Sequence, residues 1–216
     1  MIITIDGPTS SGKSTVSKRL SKKLGILYLE SGALYRALAY KTLKEKTPLK
    51  ENFIKKMLTQ TNIHVHSHEG KISVILDGAC VDAYLRDEKI GNIASEISQM
   101  KSVRDFLLDV QRVCAKKNDL IAEGRDMGTV VFPQAQYKFY LEAQENVRIK
   151  RRLSELEGKD EKVKADKIKN DLKQRDKKDM KRSLSPLTVP ENAIVIDTSL
   201  LSIDEVVQKI IDVIGK

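Results

Sequence analysis

The chain has 216 residues, a length that favours one domain or one domain with insertions. With 32% charged and 40% hydrophobic residues, its composition is typical of a soluble globular enzyme. No apolar run approaches the roughly 18 residues of a membrane span, so no transmembrane helix is predicted. Cys80 and Cys114 are isolated, and the chain enters a strand at once. We therefore expect no disulfide framework, no signal peptide and a cytoplasmic location.

Most of the net charge of +9 lies in residues 148–182, where 15 Lys or Arg residues stand against 8 Asp or Glu residues. A solvated helical surface explains this excess, and a nucleic-acid patch is the alternative. The segment has no aromatic residue to stack on bases, and acidic residues interrupt it throughout. We therefore expect no nucleic-acid partner.

The run GPTSSGKST at residues 7–15 follows a short β-branched strand and precedes a helical pattern that ends at Gly25. It fits the phosphate-loop pattern of glycine, four variable residues, glycine, lysine and serine. Such a loop binds polyphosphate through backbone N–H groups and a helix N-terminus, with Lys13 at the outer phosphates and Ser14 at Mg²⁺. Ser10 stands where glycine is common. The predicted ATP-binding residues are Gly7, Pro8, Thr9, Ser10, Ser11, Gly12, Lys13, Ser14 and Thr15.

Five short apolar runs predict the strands of a parallel sheet, at residues 2–5, 26–29, 120–122, 138–141 and 193–196. Residues 202–205 have a capping-box pattern that precedes an apolar helical stripe. The fold class is therefore α/β, a doubly wound sheet with the phosphate loop after its first strand.

Residues from about 40 to 117 look like an insertion. Within it, 63–68 and 72–76 alternate around Glu69 and Gly70 and predict a β-hairpin, and two amphipathic helices follow. His64, His66 and His68 share one strand face, but no cysteine or carboxylate stands at ligand spacing beside them. We interpret them as solvent-facing residues rather than as a metal site.

Basic residues that a phosphate acceptor would need occur in four clusters. Two follow predicted strands, where ligands of open α/β sheets collect: residues 30–36, with Ser31 and Arg36, and residues 123–128, with Arg125 and Asp126. Turns with surface ion pairs would explain these two as well. The other two lie on predicted helix faces and are equally explained by i,i+4 ion-pair networks: Arg175, Asp179 and Arg182, and Arg148, Arg151 and Arg152. The polar segment 156–163 between them is predicted to be a mobile lid over ATP.

The chain resembles the short bacterial cytidylate kinases of the nucleoside monophosphate kinase group. The runs that carry the resemblance are GPTSSGKST at 7–15, LESGALYR at 29–36, IAEGRDMGTVVFP at 121–133 and QRDKKDMKRSLSPL at 174–187. They span nearly the whole chain, and the third is very specific. The resemblance implies a single P-loop kinase domain over 1–216. It also implies a five-stranded parallel sheet, an acceptor-binding insert at about 40–117 with a small antiparallel sheet, and a helical lid at about 150–182.

The resemblance also implies a reaction and the residues that perform it. The γ-phosphate of ATP·Mg²⁺ would pass to CMP or dCMP, in a protein that we expect to be a monomer with small-molecule substrates only. Lys13, Arg125 and Arg182 are the implied catalytic residues, with Arg148 and Arg152 assisting from the lid. Arg36, Arg125 and Arg182 would hold the acceptor phosphate. Positions near the ribose are Ser31, Arg175 and Asp179, and the implied cytosine readers are Ser95, Arg104 and Asp126. Glu30 departs from the aspartate usual in the family.

Cytosine chemistry agrees with these roles. Asp126 can accept from the N4 amino group, whereas uracil presents an acceptor there that an ionised carboxylate repels. CMP and dCMP are thus predicted to be good acceptors and UMP a poor one. The alternatives are another small-molecule kinase on the same fold, with UMP, AMP or a non-nucleotide acceptor, and a P-loop GTPase-type switch. Against the switch, the chain has no Asn-Lys-x-Asp run, and its 126–128 segment does not give Asp-x-x-Gly.

Overall fold

The computed structural model describes residues 1–68, 71–116, 118–157 and 165–215. Its strands, in chain order, are β1 (Ile2–Asp6), β2 (Leu27–Glu30), β3 (Ile63–His68), β4 (Lys71–Leu76), β5 (Ala79–Cys80), β6 (Leu120–Gly124), β7 (Tyr137–Glu142) and β8 (Ile194–Asp197). Its helices are α1 (Lys13–Leu24), α2 (Ser31–Lys44), α3 (Glu51–Leu58), α4 (Glu88–Ile97), α5 (Lys101–Ala115), α6 (Glu145–Glu157), α7 (Ala165–Lys181) and α8 (Ile203–Ile214). A 3₁₀ turn at Asp82–Tyr84 and a π-helical turn at Met127–Val131 complete the elements.

Five strands form a parallel sheet in the order β2-β6-β1-β7-β8, which confirms the predicted α/β class and all five predicted strands. The phosphate-loop strand β1 lies at the centre, between β6 and β7. Because parallel strands end at one edge, the chain segments that follow β1, β2 and β6 meet there.

The two faces of the sheet belong to different hydrophobic clusters. Along β6, Leu120 and Ala122 pack with α2, α4 and α5, whereas Ile121 packs with α1 and α8 on the other face. This alternation follows from the two-residue period of a strand. The predicted helix ends are also confirmed: Gly25 caps α1 in the left-handed conformation, and Ser202 begins α8 with a capping box.

The predicted hairpin is confirmed as β3 and β4, which pair antiparallel, and β5 adds a third strand that the sequence did not predict. The side chains of His64 and His66 are exposed, as predicted, and the side chain of His68 lies outside the described residues. Over the described ranges, no group of three or more His, Cys, Asp or Glu side chains is arranged to hold a metal ion. Within the same ranges, no helix combines the length and apolar character of a membrane span.

Candidate active site

The phosphate loop joins β1 to α1 and depends on positions with unusual backbone angles. Gly7 has φ +147°, and a Cβ there would lie 2.0 Å from the carbonyl oxygen of Leu141. Gly12, the residue before α1, has φ +95°. Ser10 also has a positive φ, of 59°. The glycine that is common at this position would adopt that angle without the steric penalty of a Cβ, about 1–2 kcal/mol.

Lys13 is buried at the first position of α1, and its ammonium turns back onto the loop. It donates to the carbonyl of Pro8 at 2.6 Å and to the hydroxyl of Ser11 at 3.4 Å. Burial, with the nearby Arg125 guanidinium, lowers the pKa of Lys13 to about 7. A polyphosphate beside this amine would favour its charged form. The loop is thus built to be completed by an anion.

A carboxylate at the end of β6 faces the loop. The hydroxyl of Ser14 donates to Glu123 Oε1 at 3.0 Å, and the hydroxyl of Tyr28 donates to Oε2 at 2.6 Å. Burial, with the Glu123 charge, raises the pKa of Tyr28 far above its usual range, so Tyr28 remains a donor. Glu123 therefore has a fixed orientation next to Ser14.

The turn after β6 carries Arg125 and Asp126, and Asp6 at the end of β1 holds this turn in place. The Asp6 carboxylate accepts from the backbone N–H groups of Met127 at 2.9 Å and Gly128 at 2.8 Å. Burial raises the pKa of Asp6 to about 6, although these two hydrogen bonds oppose the shift. The close packing explains Gly128, because a Cβ there would lie 2.9 Å from the side chains of Thr4 and Pro190.

Two of the three predicted cytosine readers, Arg104 and Asp126, meet in a buried cluster. Arg104, from α5, forms an ion pair with Asp126 and donates through Nε to the hydroxyl of Ser185 at 3.2 Å. Arg182 Nη2 lies 3.7 Å from the other oxygen of Asp126. Burial and the neighbouring Arg104 lower the pKa of Arg182. Ser95, on α4, lines the same cleft. The structure thus brings together residues from four separate parts of the chain.

Arg36 and Arg86 share the carboxylate of Glu30, which directly precedes α2. Arg36 Nη1 and Arg86 Nη2 each lie 2.9 Å from one of its oxygens. Arg86 follows the 3₁₀ turn of the insert, and both guanidiniums line the cleft. Glu30, the position that departs from the family pattern, therefore links the insert to the edge of the sheet.

Helix α7 places its predicted residues at the same cleft. Arg125 Nε donates to Asp179 Oδ2 at 2.8 Å. Burial acts to lower the pKa of Arg125, but the charge and hydrogen bond of Asp179, together with the nearby carboxylates of Glu123 and Asp176, outweigh it and raise that pKa. Arg175 Nη2 donates to Asn92 on α4 at 2.8 Å, while burial and the neighbouring Arg152 lower its pKa.

One cleft of about 960 Å³ is lined by residues of both the phosphate loop and the arginine clusters. The predicted site residues that line it are Thr9, Ser10, Ser11, Gly12, Lys13, Ser14, Thr15, Ser31, Arg36, Ser95, Arg104, Arg125, Asp126, Arg152, Arg175, Asp179 and Arg182. Gly7, Pro8 and Arg148 are not part of this lining. Arg148 instead donates to the carbonyl of Thr9 and pairs with Asp176. The predicted lid segment 156–163 lies, from residue 158 onward, outside the described residues.

Sequence reasoning missed four residues that organise this cleft: Asp6, Arg86, Glu123 and Asp176. Asp6 is the last residue of the buried strand β1, and Glu123 lies next to the end of the buried strand β6. A carboxylate at the end of a buried strand, beside a ligand-binding motif, was the sequence signal that could have identified both residues. Arg86 stands in a polar stretch in which no spacing distinguishes it from its charged neighbours. Asp176 lies inside the run at 174–187, between the predicted Arg175 and Asp179, but its own spacing does not distinguish it from the charged residues around it.

The comparisons with known proteins agree with this geometry. The family model described as cytidylate kinase matches residues 3–216. The chain is 45% identical to a cytidylate kinase of Thermodesulfovibrio yellowstonii, over 95% of this chain and 94% of that protein. It is 42% identical to a cytidylate kinase of Caldicellulosiruptor saccharolyticus, over 99% of this chain and 95% of that protein.

A solved shikimate kinase from Bacteroides thetaiotaomicron has a similar fold, with a TM-score of 0.50, 11% identity and coverage of 100% of this chain and 99% of that one. This likeness concerns the fold alone. The family model and the two relatives carry more, because they match this chain in sequence, the relatives at 45% and 42% identity, along nearly its whole length. The chain belongs to the cytidylate kinase family.

Proposed function

We propose that this chain transfers the γ-phosphate of ATP to CMP or dCMP, giving ADP and CDP or dCDP. Membership of the cytidylate kinase family supports the reaction class. The observation that carries the proposal is the single cleft that joins a phosphate loop to the buried Arg104–Asp126 pair. A donor site and a polar base-reading site thus open onto the same space.

In the proposed ground state, ATP lies on the phosphate loop, with Lys13 and the loop N–H groups at its phosphates. CMP lies between the sheet edge and the insert. Its base faces Asp126, Arg104 and Ser95, and its phosphate faces Arg36, Arg125 and Arg182. The ribose contacts assigned to Ser31, Arg175 and Asp179 complete this side.

The chemical step then needs no covalent enzyme intermediate. An oxygen of the CMP phosphate attacks Pγ and forms a new P–O bond. On the opposite side of Pγ, in line with the attack, the bond to the β,γ-bridging oxygen breaks, and that oxygen leaves as part of ADP. No general base is required, because a phosphate monoester with a pKa near 6 is already largely dianionic at neutral pH. Arg125 and Arg182 neutralise charge on the transferring group and the acceptor, and Arg152 assists.

A divalent cation, in the family's pattern Mg²⁺, fits beside Ser14. Magnesium prefers oxygen ligands and keeps several of its waters. Ser14 and Glu123 supply such oxygens 3.0 Å apart at the mouth of the loop. Ser14 would hold the ion directly, and Glu123 would hold it directly or through water. When bound, the ion neutralises negative charge on the donor phosphates.

We further propose that the protein acts in the cytoplasm as a monomer, without a nucleic-acid partner. The basic segment 148–182 supports the last point, because four of its arginines line the cleft, at positions 151, 152, 175 and 182. These positive charges therefore face the space in which two nucleotides would meet.

The test is a coupled ADP-release assay with CMP, dCMP, UMP and AMP as acceptors. We expect kcat/KM for CMP and dCMP to exceed the value for UMP by at least about 10²-fold, because a carboxylate faces the position that differs between the two bases. Comparable values for CMP and UMP would contradict the assignment of Asp126. Activity on AMP or UMP alone would replace CMP by another acceptor on the same fold.

A further inference from the structure

One residue of the phosphate loop is held by an ion pair that comes from two distant helices. The N–H of Thr9 donates to Asp176 Oδ1 at 3.1 Å, and the carbonyl of Thr9 accepts from Arg148 Nη1 at 3.1 Å. Arg148 and Asp176 are in turn ion-paired, and Asp176 is 7% exposed. We call Thr9, Arg148 and Asp176 the Thr9 latch. It satisfies both backbone polar groups of Thr9 with one partly buried ion pair.

The helices that supply the latch have a small core of their own. Leu156 of α6 packs with Ile168 and Leu172 of α7, and Ile149 and Leu153 pack against them. These residues form a cluster apart from the two clusters that cover the faces of the sheet. Because their apolar contacts join α6 mainly to α7, the position of the helix pair on the sheet depends on polar contacts such as the latch.

The same turn of α7 also reaches the acceptor side of the cleft. Asp179, three residues after Asp176, accepts from Arg125, and Arg125 donates through Nη2 to the hydroxyl of Thr9 at 3.0 Å. Arg182, one turn further on, lies beside Asp126. Helix α7 therefore contacts the phosphate loop through Asp176 and the arginines proposed to hold the acceptor phosphate through Asp179.

We propose that Asp176 is a positioning residue that sets the separation of the donor and acceptor phosphates. This inference rests on the proposed function. In-line transfer needs the reacting atoms within about 3–3.5 Å, and a misplacement of about 1 Å can lower the rate 10²-fold. Asp176 acts through Thr9 and Arg148, and it stands outside the residues that line the cleft. Asp176 therefore affects the relative position of the two bound nucleotides, whereas the binding of each nucleotide by itself depends on other residues.

The decisive variant is Asp176→Asn, which keeps the shape of the side chain and removes the charge that pairs with Arg148. Asp166→Asn is the matched control, since it makes the same change at an exposed position in the first turn of the same helix. Four quantities are measured: kcat, the Kd of ATP, the Kd of CMP, and the Kd of adenosine–cytidine pentaphosphate. The last compound spans both subsites, so its affinity reports their relative position.

For Asp176→Asn we expect kcat to fall at least about tenfold, while the Kd values of ATP and CMP each change by less than about threefold. The pentaphosphate should lose more affinity than the product of these two separate losses. Asp166→Asn should leave all four quantities unchanged. A structural role confined to one subsite would weaken pentaphosphate binding by no more than the product of the ATP and CMP losses. That result would overturn the proposal.

A second measurement is hydrogen exchange at the Thr9 amide in the Asp176→Ala variant. We expect exchange at the loop to accelerate at least about tenfold, because its acceptor is removed. Unchanged exchange in a folded variant would overturn the latch. If neither Asp176 variant folds, Arg148→Lys takes their place, since the guanidinium donates through Nη1 to Thr9 and Asp176 and through Nε to the Ala143 carbonyl, an arrangement that a lysine ammonium does not reproduce. Turnover of CMP by the unchanged chain tests the proposed function separately, and loop exchange tests the latch whatever the acceptor.

Discussion

The substitution Asp126→Asn tests the buried centre of the proposed acceptor site. Asp126 is 4% exposed and is ion-paired with Arg104, which is itself 8% exposed. Arg182 Nη2 lies 3.7 Å from its second oxygen. Asparagine keeps the shape of the side chain but removes the negative charge that these two guanidiniums share. The variant therefore separates the charge of Asp126 from the space that it fills.

The expected loss of stability follows from these contacts. Removing one partner of a buried ion pair typically costs about 3–5 kcal/mol. We expect the lower end, about 3 kcal/mol, because asparagine retains one carbonyl acceptor and Asp179 remains 3.9 Å from Arg182. For a domain of this length, about 2–4 °C of Tm corresponds to each kcal/mol, so Tm should fall by about 6–12 °C.

The expected change in specificity is independent of that loss. A polar group that reads one base edge contributes about 1–3 kcal/mol of discrimination, a factor of about 5–150 in kcat/KM. The asparagine of the variant no longer repels the O4 acceptor of uracil, because its amide can donate there. The ratio of kcat/KM for CMP to that for UMP should therefore fall by about that factor.

Thermal unfolding and the coupled ADP-release assay measure the two effects. Asp105→Asn is the control, because Asp105 lies on the same helix as Arg104 but is exposed and forms a surface ion pair with Lys101. A surface pair of this kind contributes about 1 kcal/mol or less, so this variant should keep both Tm and the CMP:UMP ratio. An Asp126→Asn enzyme with a lowered Tm and an unchanged CMP:UMP ratio would refute the base-reading role.

Four further predictions concern the loop and Glu30. The pKa of ligand-free Lys13 is lowered to about 7, so ATP binding at pH 8 should be accompanied by the uptake of most of one proton. Calorimetry in buffers of different ionisation enthalpy measures this uptake. The same uptake by the Lys13→Met variant would show that the proton does not go to Lys13. The unfolded chain binds this proton more tightly, so the contribution of Lys13 to stability should rise with pH between about 7 and 10.5, and Lys13→Met should lack that rise. Gly7→Ala places a methyl group 2.0 Å from the Leu141 carbonyl and should lower the free energy of unfolding by at least about 2 kcal/mol in urea. Glu30→Gln weakens the hold on two arginines and should raise KM for CMP about threefold or more while KM for ATP stays constant; an equal rise in both would argue against an acceptor-side role.

The sequence predicted the sheet well because its signals are local. Buried parallel strands are short apolar runs, and the five predicted runs agree with the observed strands to within one or two residues. The phosphate loop was equally clear, since its glycines, Lys13 and Ser14 are adjacent in the chain. The strand β5, only two residues long, carries no such signal and was missed.

The arginines of α6 show where local signals end. Spacing placed Arg148, Arg151 and Arg152 on one face, but only the last two line the cleft. The partner of Arg148 is Asp176, 28 residues away on another helix, and the backbone of Thr9 lies 139 residues away. Helical periodicity gives the direction of a side chain around its own axis. It carries no information on which neighbouring element that face will meet, so tertiary contacts decided the outcome.

The charged residues that line the cleft both hold its arginines in place and give it a net positive charge for nucleotide phosphates. Among the described residues, twelve Lys or Arg and five Asp or Glu side chains line it, so two polyanions would enter a strongly positive space. The five carboxylates are not spread evenly: Glu30, Asp126 and Asp179 each contact two arginines. Each pairing holds guanidiniums in fixed positions before a nucleotide arrives, so their reorganisation is not left to the moment of transfer. The remaining excess of positive charge is the part that nucleotide phosphates neutralise, and added salt should raise both KM values by screening it.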